Sequence, residues 1–363
     1  MKLRLKKLKY QVMVITGASS GIGLATARRA ARRGTRLVLA ARSEADLQQL
    51  AEEINGEGVG KAVAVAADVA NEADVQRIAE AALREFGGID TWVNNAGASV
   101  YGRAAEISVE DMRRVFDTNF WGVVHGSRIA LRHLREHGGA LINIGSEGSE
   151  VAIPLQAIYS ASKHAVKGWT DAIRLELEYE KAPVSVTLIK PGPIDTPYTD
   201  HAANYMEDQP QHAPPVYDPE SVAEAILHAA TTPIRDLFVG SGAKAMATLE
   251  KVAPRLADKV VENTIYPATH SGRPRHGREA LHQPGGGLRE RGDYPGMVRK
   301  SMYTRATMHP AITAAAAIGA GVLFATLWSP APTRWVSRGR PFKEDRRPGY
   351  PMENEIEIPV NRP

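Results

Sequence analysis

The sequence predicts an α/β protein with a doubly wound, seven-stranded and mostly parallel sheet that has helices on both faces. Short apolar runs, often β-branched, alternate with amphipathic stretches from residue 12 to about residue 242. Such runs are typical of strands buried on both faces, and the stretches between them are typical of crossover helices. A glycine-rich turn directly follows the first run. The strict alternation favours parallel strands joined by right-handed connections.

The apolar runs are the predicted strands and the amphipathic stretches are the predicted helices. The seven strands cover residues 12–16, 37–41, 62–66, 91–94, 141–144, 184–189 and 237–239. The main helices cover residues 24–33, 45–54, 72–86, 109–137, 157–180 and 219–230. Each helix is expected to place its apolar face on the sheet.

The composition excludes several classes of function. The 363 residues contain no cysteine, which rules out disulfides, thiolate catalysis and cysteine-ligated zinc. Lys and Arg number 45 against 41 Asp and Glu, and the basic excess lies mainly near the ends of the chain. We interpret it as solubilising and predict no nucleic-acid partner. The basic start lacks a signal-peptide core. The absence of cysteine fits a reducing compartment, so we expect a cytoplasmic protein.

The composition changes after residue 264. We divide the chain into a main domain of residues 1–264, a flexible basic linker of residues 265–310, an apolar helix of residues 311–328 and a disordered tail of residues 329–363. The apolar helix is uncharged and lies at the lower length limit of a bilayer span. Three alternatives are open for this helix. It spans a membrane, it lies in the membrane interface or on a partner, or it packs on the protein's own surface. We favour membrane association.

The turn after the first strand contains Gly17, Gly21 and Gly23. Glycines let a backbone turn tightly and approach a pyrophosphate, which lies at the N-terminus of the following helix. The spacing G-x-x-x-G-x-G could by itself be only a helix-entry turn. Its position between the first strand and the first helix favours a nucleotide-binding site.

The second strand ends at Ala41, and Arg42 follows it. An NAD-preferring site usually has a carboxylate here, which binds the ribose 2′-hydroxyl. An arginine instead suits a 2′-phosphate, because a guanidinium pairs bidentately with phosphate. We therefore expect NADP(H) in preference to NAD(H), against the alternative that Arg42 is an ordinary surface residue.

Polar residues also follow the third and fourth strands. Asp68 and Val69 lie where an adenine could bind, although Asp68 could equally be a helix N-cap. Asn94 and Asn95 end the fourth strand. Because asparagine is unfavourable in a buried strand, the pair is expected either to hold backbone or ligand or to form a plain turn.

Tyr159 and Lys163 are four residues apart and therefore lie on one face of a helix. A nearby ammonium lowers the pKa of a phenol, so the pair could transfer a proton near neutral pH. Ser146 ends the fifth strand, where its hydroxyl could donate to a substrate oxygen. Asn119 lies in a helical stretch that it does not favour, which indicates a functional side chain or a helix kink. Two histidines in a later loop have no fixed spacing, and we predict no metal site.

In this order and spacing, the motifs TGASSGIG, NNAG, YSASK and Pro191-Gly192 resemble those of the short-chain dehydrogenase/reductase family over residues 10–245. The resemblance implies a Rossmann fold with Tyr159 as the catalytic acid/base. It further implies that Lys163 lowers the pKa of Tyr159 and binds the nicotinamide ribose, that Ser146 polarises the substrate carbonyl, and that Asn119 holds the water of a proton relay. Besides Tyr159 and Lys163, the implied cofactor contacts are Thr16, Gly17, Ser19, Ser20, Gly21, Ile22, Gly23, Arg42, Asp68, Val69, Asn94, Asn95, Ala96, Gly97, Pro191, Gly192, Ile194 and Thr196.

The resemblance implies an NADP(H)-dependent oxidoreductase that interconverts a ketone or aldehyde and an alcohol on an apolar small molecule, and that forms a homodimer or homotetramer. A mobile loop of residues 198–217 is expected to cover the substrate. Its large side chains are Tyr198, Tyr205, Met206 and Tyr217. The alternative is a non-catalytic NADP(H)-binding protein that senses or tethers at a membrane. The complete set of four catalytic positions favours the enzyme.

Overall fold

The computed structural model describes residues 3–275, 277–311, 313 and 314. The chain divides into two units, Met1–Thr313 and Ala314–Pro363, and the fold described here is that of the first. At its centre lies a sheet of seven strands in which every neighbouring pair is parallel. In chain order the strands are β1 (Val12–Thr16), β2 (Arg36–Ala41), β3 (Lys61–Ala66), β4 (Thr91–Asn94), β5 (Gly139–Ile144), β6 (Val184–Pro191) and β7 (Asp236–Val239).

The strands lie in the order β7-β6-β5-β4-β1-β2-β3 across the sheet. The chain therefore winds outward in one direction from β1 to β3 and in the other direction from β4 to β7. In such sheets, ligands bind in the crevice beyond the carboxyl ends of the strands where the order reverses, here between β1 and β4. The doubly wound, seven-stranded fold predicted from the sequence is confirmed.

Helices connect the strands and continue beyond them. They are α1 (Gly21–Ala31), α2 (Glu44–Glu57), α3 (Glu72–Phe86), α4 (Val109–Phe116), α5 (Gly122–His137), α6 (Ala157–Tyr179), α7 (Tyr198–His201), α8 (Pro219–Ala229), α9 (Ser241–Val252), α10 (Pro254–Val260), α11 (Tyr266–Thr269) and α12 (Met302–Met308). Shorter turns are the 3₁₀ segments Leu8–Tyr10 and Glu147–Ser149 and the π-helical segments Asp117–Trp121 and Val261–Ile265.

Side chains of β1 alternate between two hydrophobic cores. Met13 and Ile15 pack with apolar residues of α1, α2 and α8 on one face of the sheet. Val12 and Val14 pack with residues of α3, α5 and α6 on the other face. This alternation follows from the period of two in a strand. A strand buried on both faces must be apolar throughout, which is why these strands appear in the sequence as continuous hydrophobic runs.

Helix α3 shows how polar residues set the ends of these elements. The Asn71 side chain accepts a hydrogen bond from the Ala73 N–H at the start of the helix, and Gly87 ends it with a φ of 76°. Glycine adopts such left-handed backbone at no steric cost. Because Asn71 is the N-cap, Asp68 does not fill that role and is available to other partners.

Residues 265–310 differ from the flexible linker expected from their composition. They belong to the first unit. Val298–Arg299 pairs in parallel with Val216–Tyr217, and Ala280, Leu281 and Met308 are buried. The segment contains few apolar residues, and these three insert into surfaces that the main domain already provides, while Met297 and Met302 remain exposed.

Ion pairs also join this segment to distant parts of the domain. Arg28 contacts Glu290 at 2.8 Å, and Arg289 contacts Asp200 at 3.0 Å. A segment held in this way needs no hydrophobic core of its own. Its composition therefore resembles that of a linker even though it is packed.

Of the predicted apolar helix at residues 311–328, only residues 311, 313 and 314 are described. The remainder of that helix and the predicted disordered tail at residues 329–363 lie outside the described residues. Within the part of the chain that the structure describes, no helix is long and apolar enough to cross a membrane.

Candidate active site

The glycine-rich turn between β1 and α1 packs tightly against the end of β4. Thr16 Oγ1 accepts hydrogen bonds from the backbone N–H groups of Asn95 and Ala96, at 3.0 and 3.1 Å. A Cβ atom on Gly23 would lie 2.1 Å from the carbonyl oxygen of Gly17, and Gly17 has a φ of +66°. Both positions therefore require glycine. The result is a closely packed turn that presents backbone rather than side chains to the crevice.

Asn94 and Asn95 hold the end of β4 in place. The buried Asn94 donates to Asn143 Oδ1 and accepts from Trp92 Nε1, both at 2.8 Å. Asn95 Nδ2 donates to the carbonyl oxygen of Thr16 at 2.9 Å. Of the two alternatives that the sequence left open, the structure shows side chains that hold backbone, and it explains why amides occur at a buried strand end.

Asn119 lies in the π-helical turn Asp117–Trp121 between α4 and α5 and is fully buried. Its Oδ1 accepts from the Ala98 N–H at 2.8 Å, and its Nδ2 donates to the Ala98 carbonyl and to Ser162 Oγ, both at 3.0 Å. Turns of this kind are rare and occur frequently at functional sites. The structure shows the helix irregularity that was one of the two expectations for Asn119, and the functional role of this side chain stays a prediction.

Ser146 lies two residues after the end of β5 and caps the turn Glu147–Ser149. Its Oγ accepts from the Gly148 N–H at 3.1 Å, and its own N–H donates to Ser149 Oγ at 3.2 Å. A serine hydroxyl that accepts one hydrogen bond still has its proton to donate. Ser146 Oγ is therefore fixed in position and can still donate to a ligand oxygen.

Lys163 is buried one helical turn after Tyr159 on α6. Its Nζ donates to the Ile144 carbonyl oxygen at 2.9 Å and lies 5.8 Å from the centre of the Tyr159 ring. Burial lowers the pKa of Lys163 to about 8, because water no longer stabilises the ammonium. The hydrogen bond to Ile144 directs the ammonium at the end of β5, and the phenol ring of Tyr159 lies farther away.

Burial raises the pKa of Tyr159 above its usual value, while contacts with the hydroxyls of Ser146 and Tyr198 act in the opposite direction. The nearby carboxyl of Glu147 raises this pKa further. The direction differs from the lowering that we expected from Lys163. Loss of water around the phenol outweighs the effect of an ammonium that is hydrogen-bonded elsewhere.

A cavity of about 340 Å³ lies beyond the carboxyl ends of the strands. Most of the site residues predicted from the sequence line it, and Thr16, Gly23, Asn94 and Asn119 support it from behind. The predicted residues in its wall are Gly17, Ser19, Ser20, Gly21, Ile22, Arg42, Asp68, Val69, Asn95, Ala96, Gly97, Ser146, Tyr159, Lys163, Pro191, Gly192, Ile194 and Thr196.

One end of the cavity is basic and is closed by the C-terminal segment. The guanidinium of Arg42 donates to the carbonyl oxygens of Ala280 and Leu281, at 2.9 Å in the case of Leu281. Burial lowers the pKa of Arg42, and the neighbouring Arg114 acts in the same direction. Arg114 also pairs with Asp68 at 2.6 Å. Asp68 thus holds a cation in place instead of capping a helix.

At the opposite end, Tyr198 of the predicted substrate loop packs edge-on against Tyr159, with ring centres 5.5 Å apart. Gln156 Nε2 donates to Tyr198 Oη at 3.1 Å and to Ser99 Oγ at 3.0 Å. Met206 of the same loop is also buried. The loop therefore contributes directly to the wall beside the tyrosine.

Several cavity residues were not identified from the sequence. Glu147 follows Ser146 directly, and Gln156, Ala280, Pro284 and Gly285 also line the wall. The position of Glu147 just after a strand was the one available signal, because the carboxyl edge of the sheet is where ligands bind. The sequence around Gln156, Ala280, Pro284 and Gly285 contains no motif that would have identified them as cavity residues. In the described ranges, no group of three or more His, Asp and Glu side chains could hold a metal ion.

Comparison with known proteins gives related sequences. A family model described as short chain dehydrogenase matches residues 11–207. The uncharacterized oxidoreductase YxnA of Bacillus subtilis is 52% identical over 324 residues, which cover 88% of this chain and 91% of YxnA. The 11-beta-hydroxysteroid dehydrogenase A of Sesamum indicum is 34% identical over 230 residues, which cover 61% of this chain and 65% of that protein.

Solved structures show the same architecture. An alcohol dehydrogenase from Thermococcus sibiricus, complexed with 5-hydroxy-NADP, is 28% identical, has a TM-score of 0.56 and matches 63% of this chain and 95% of its own. A 3-ketoacyl-(acyl-carrier-protein) reductase from Brucella melitensis, complexed with NADH, is 30% identical and has a TM-score of 0.57. The match covers 65% of this chain and 99% of the reductase chain. Since the family model covers over half of the 363 residues and the sheet is the expected one, the chain belongs to the short-chain dehydrogenase/reductase family and is an oxidoreductase.

Proposed function

We propose that the protein is an NADP(H)-dependent oxidoreductase that interconverts a ketone or aldehyde and an alcohol on an apolar small molecule. The observation that carries the proposal is that Ser146, Tyr159 and Lys163 line the same cavity as the glycine-rich turn. A proton donor and a backbone cradle suited to a pyrophosphate thus face one enclosed space. An alcohol dehydrogenase, a hydroxysteroid dehydrogenase and a ketoacyl reductase among the similar proteins support a reaction between a hydroxyl and a carbonyl group.

The residues present fit a nicotinamide dinucleotide. Gly17 and Gly23 approach so closely that a side chain on Gly23 has no space, which leaves a smooth cradle at the start of α1. Residues 17–23 would hold the diphosphate, and residues 191–196 would hold the nicotinamide end. When bound, the nicotinamide supplies or accepts the hydride.

Tyr159 is the proposed acid/base, and Ser146 fixes the reacting oxygen beside it. The Ser146 hydroxyl would donate to the substrate oxygen, because its own Oγ is held in position by the Gly148 N–H. Lys163 would bind the ribose. Lys163 Nζ and Asn119 Oδ1 both lie near Gly97, 3.9 and 3.4 Å from the position that a Cβ there would occupy, and a water between them would connect the two side chains. A relay of protons from solvent could pass along this line.

The phenol of Tyr159 is suited to act as a proton donor. An ordinary phenol has a pKa of about 10 and is protonated at neutral pH, and burial raises the pKa of Tyr159 further. The protonated side chain can donate to the oxygen that develops negative charge when a carbonyl is reduced. We propose carbonyl reduction as the main direction.

The preference for NADP(H) is supported by the end of β2. Ala41 provides no carboxylate to a ribose 2′-hydroxyl, and Arg42 faces the cavity. The guanidinium has five N–H donors, of which two are used on Ala280 and Leu281. The remaining donors could bind a 2′-phosphate, and Arg114 adds a second positive charge nearby.

The apolar part of the cavity wall supports an apolar substrate. Its members include Ile153, Ala213, Pro214, Pro215, Ala243, Met246 and Ile265. A pocket with mostly apolar walls and few polar groups orients its ligand through those few groups.

We further propose that copies of the chain associate through α6. Leu175 of this helix is 66% exposed, and Trp121, just before α5, is 46% exposed. Large apolar side chains at neighbouring helices are typical of association surfaces. A homodimer or homotetramer would cover them.

Substitution of Tyr159 by phenylalanine tests the proposed reaction. Purified protein is screened with ketones and aldehydes while the absorbance of NADPH is followed. Tyr159→Phe is expected to lower turnover at least about 10²-fold, the usual contribution of a general acid, while NADPH affinity changes little. Tyr179→Phe is a matched control because Tyr179 lies on the same helix and is 91% exposed.

The two candidate functions give different outcomes. An enzyme turns over at least one carbonyl compound, and this activity disappears in Tyr159→Phe but not in Tyr179→Phe. A non-catalytic NADP(H)-binding protein binds the cofactor and turns over nothing. Equal turnover by the wild type and Tyr159→Phe would remove Tyr159 from the mechanism.

A further inference from the structure

Glu147 is a carboxyl group in the cavity wall that the proposed reaction does not use. It follows Ser146 directly, and it begins the 3₁₀ turn at the carboxyl end of β5. Its side chain lines the cavity. Oε2 lies 3.6 Å from the position that a Cβ on Gly192 would occupy, so the carboxyl lies beside the proposed nicotinamide end.

Among the described residues, no hydrogen-bond donor or cation is paired with this carboxyl. Glu150, three residues later, is different: it contacts Lys190 at 2.9 Å and Lys251 at 3.1 Å. Burial raises the pKa of Glu147 to about 7, with loss of water as the cause. Glu147 is partly exposed to the cavity, so its carboxyl is open to a ligand that can supply the missing hydrogen-bond partner.

Two other polar side chains near Tyr159 are already engaged. Gln156 Nε2 donates to Ser99 and Tyr198, and Lys163 Nζ donates to Ile144. His212 also lines the cavity and its Nε2 has no partner, but its ring stacks on Tyr198, whereas Glu147 follows Ser146 directly. Glu147 is therefore the carboxyl acceptor beside the proposed proton donor that can select for a hydrogen-bond donor of the substrate.

From this geometry we infer that Glu147 is a specificity-determining residue that accepts a hydrogen bond from a second polar group of the substrate, a hydroxyl or an ammonium, near the reacting carbon. The inference rests on the proposed function. Preferred substrates are then largely apolar ketones or aldehydes that carry one hydrogen-bond donor close to the carbonyl. A site that bonds such a group discriminates strongly against analogues without it, because its own polar atom is then left unpaired.

Matched ketones test this inference. Four compounds share one apolar skeleton: the parent ketone, its hydroxy derivative, the methyl ether of that derivative and its amino derivative. Wild type is expected to show a kcat/KM at least about tenfold higher for the hydroxy or the amino ketone than for the parent. The methyl ether should behave like the parent, since it keeps the oxygen but cannot donate.

Glu147→Met keeps the approximate size of the side chain and removes the acceptor. The ratio between the donor-bearing ketone and the parent should fall to about one in this variant. Glu147 also raises the pKa of Tyr159, but that effect changes all four substrates alike and cancels in the ratio. Glu57→Gln, at an exposed position on α2, is the control and should keep the wild-type ratio. A ratio that is equal in wild type and Glu147→Met would overturn the inference.

Two further measurements separate this inference from the proposed function. If no ketone is turned over, the proposed function fails; binding of the donor-bearing ketone to the protein with NADP⁺, measured by calorimetry, then decides the role of Glu147. If the Glu147→Met variant binds the donor-bearing ketone at least about tenfold more weakly than wild type, the inference about Glu147 is supported. If the two affinities are equal, the inference is overturned. Glu147→Met should also unfold at a temperature no lower than that of wild type, because it removes a carboxyl that makes no hydrogen bond within the described residues. A clear decrease would instead indicate a structural role.

Discussion

The backbone N–H of Gly21 donates a 2.9 Å hydrogen bond to the carbonyl oxygen of Arg289. The C-terminal segment therefore contacts the first residue of α1, where the proposed diphosphate site begins. The Arg289 side chain pairs with Asp200 at 3.0 Å and secures the contact. Together with the carbonyl groups that face Arg42, this places the C-terminal segment along the proposed adenosine half of the cavity.

Arg42→Ala should weaken NADPH binding far more than NADH binding. The variant loses a bidentate partner for the 2′-phosphate, which NADH lacks. It also loses the hydrogen bonds to Ala280 and Leu281, but this loosening of the C-terminal segment affects both cofactors. Fluorescence titration of each cofactor measures the two dissociation constants. Arg33→Ala, at an exposed position, is the control. Equal weakening for the two cofactors would assign Arg42 to the segment alone.

Gly23→Ala should damage both stability and cofactor binding. A Cβ here would lie 2.1 Å from the Gly17 carbonyl oxygen and 2.7 Å from Asn95 Nδ2, so the turn must open. Such overpacking typically lowers the free energy of unfolding by about 1–3 kcal/mol. Gly56→Ala is the matched control, because Gly56 lies in α2 with no atom within 4 Å of the added methyl. It should raise stability by up to about 1 kcal/mol. Urea denaturation measures the free energy of unfolding of both variants. A similar change in Gly23→Ala and Gly56→Ala would contradict the close packing of the turn.

The elements predicted well from the sequence are those whose signal is local. The central strands are apolar runs because they are buried on both faces, and the glycine spacing reflects a backbone contact between Gly17 and Gly23. The pair Tyr159 and Lys163 shares a cavity because four residues are about one turn of a helix. These relationships depend on residues close together in the chain.

The features missed depend on distant partners. The C-terminal segment, residues 265–310, is held by ion pairs such as that of Arg28 with Glu290, which are 262 residues apart. Its packing could therefore not be predicted from its own composition. The shift in the Tyr159 pKa depends on how completely the fold excludes water from the phenol. Glu147 resembles any surface glutamate until the fold places it in the cavity wall. Burial and long-range contacts depend on the whole fold, so they cannot be predicted from a single sequence motif.

Asn119→Ala should lower both stability and turnover. The side chain makes three hydrogen bonds, one of them fully buried, and its loss leaves the partly buried N–H and carbonyl of Ala98 without this partner. Unpaired groups of this kind destabilise a protein by about 1–3 kcal/mol. Asn263→Ala removes an exposed asparagine and should change the free energy of unfolding by less than about 0.5 kcal/mol. Chemical denaturation and NADPH turnover are measured on both. Full stability in Asn119→Ala would mean that the π-helical turn forms without these bonds.

The stability of the protein should decrease as the pH falls from about 6.5 towards 4, in part through His212. Burial lowers the pKa of His212 to about 4, whereas an unfolded histidine has a pKa of about 6.5. The unfolded state therefore binds the proton more readily, so the contribution of neutral His212 is complete above about 6.5 and is lost as the pH falls through the folded pKa. The cause is local: Nε2 of His212 is enclosed without a partner, and the ring stacks on Tyr198 with centres 5.8 Å apart.

His212→Phe keeps the stacked ring and removes the titrating group, so it tests this dependence directly. Urea midpoints are measured at several pH values between 7 and 4.5 for wild type, for His212→Phe and for His137→Phe, a control at an exposed position. The decrease in stability on acidification should be smaller in His212→Phe than in the other two proteins. Other buried histidines, among them His201, have lowered pKa values and leave a residual slope in all three. Identical slopes for wild type and His212→Phe would show that this imidazole takes up its proton as readily in the folded protein as in the unfolded chain.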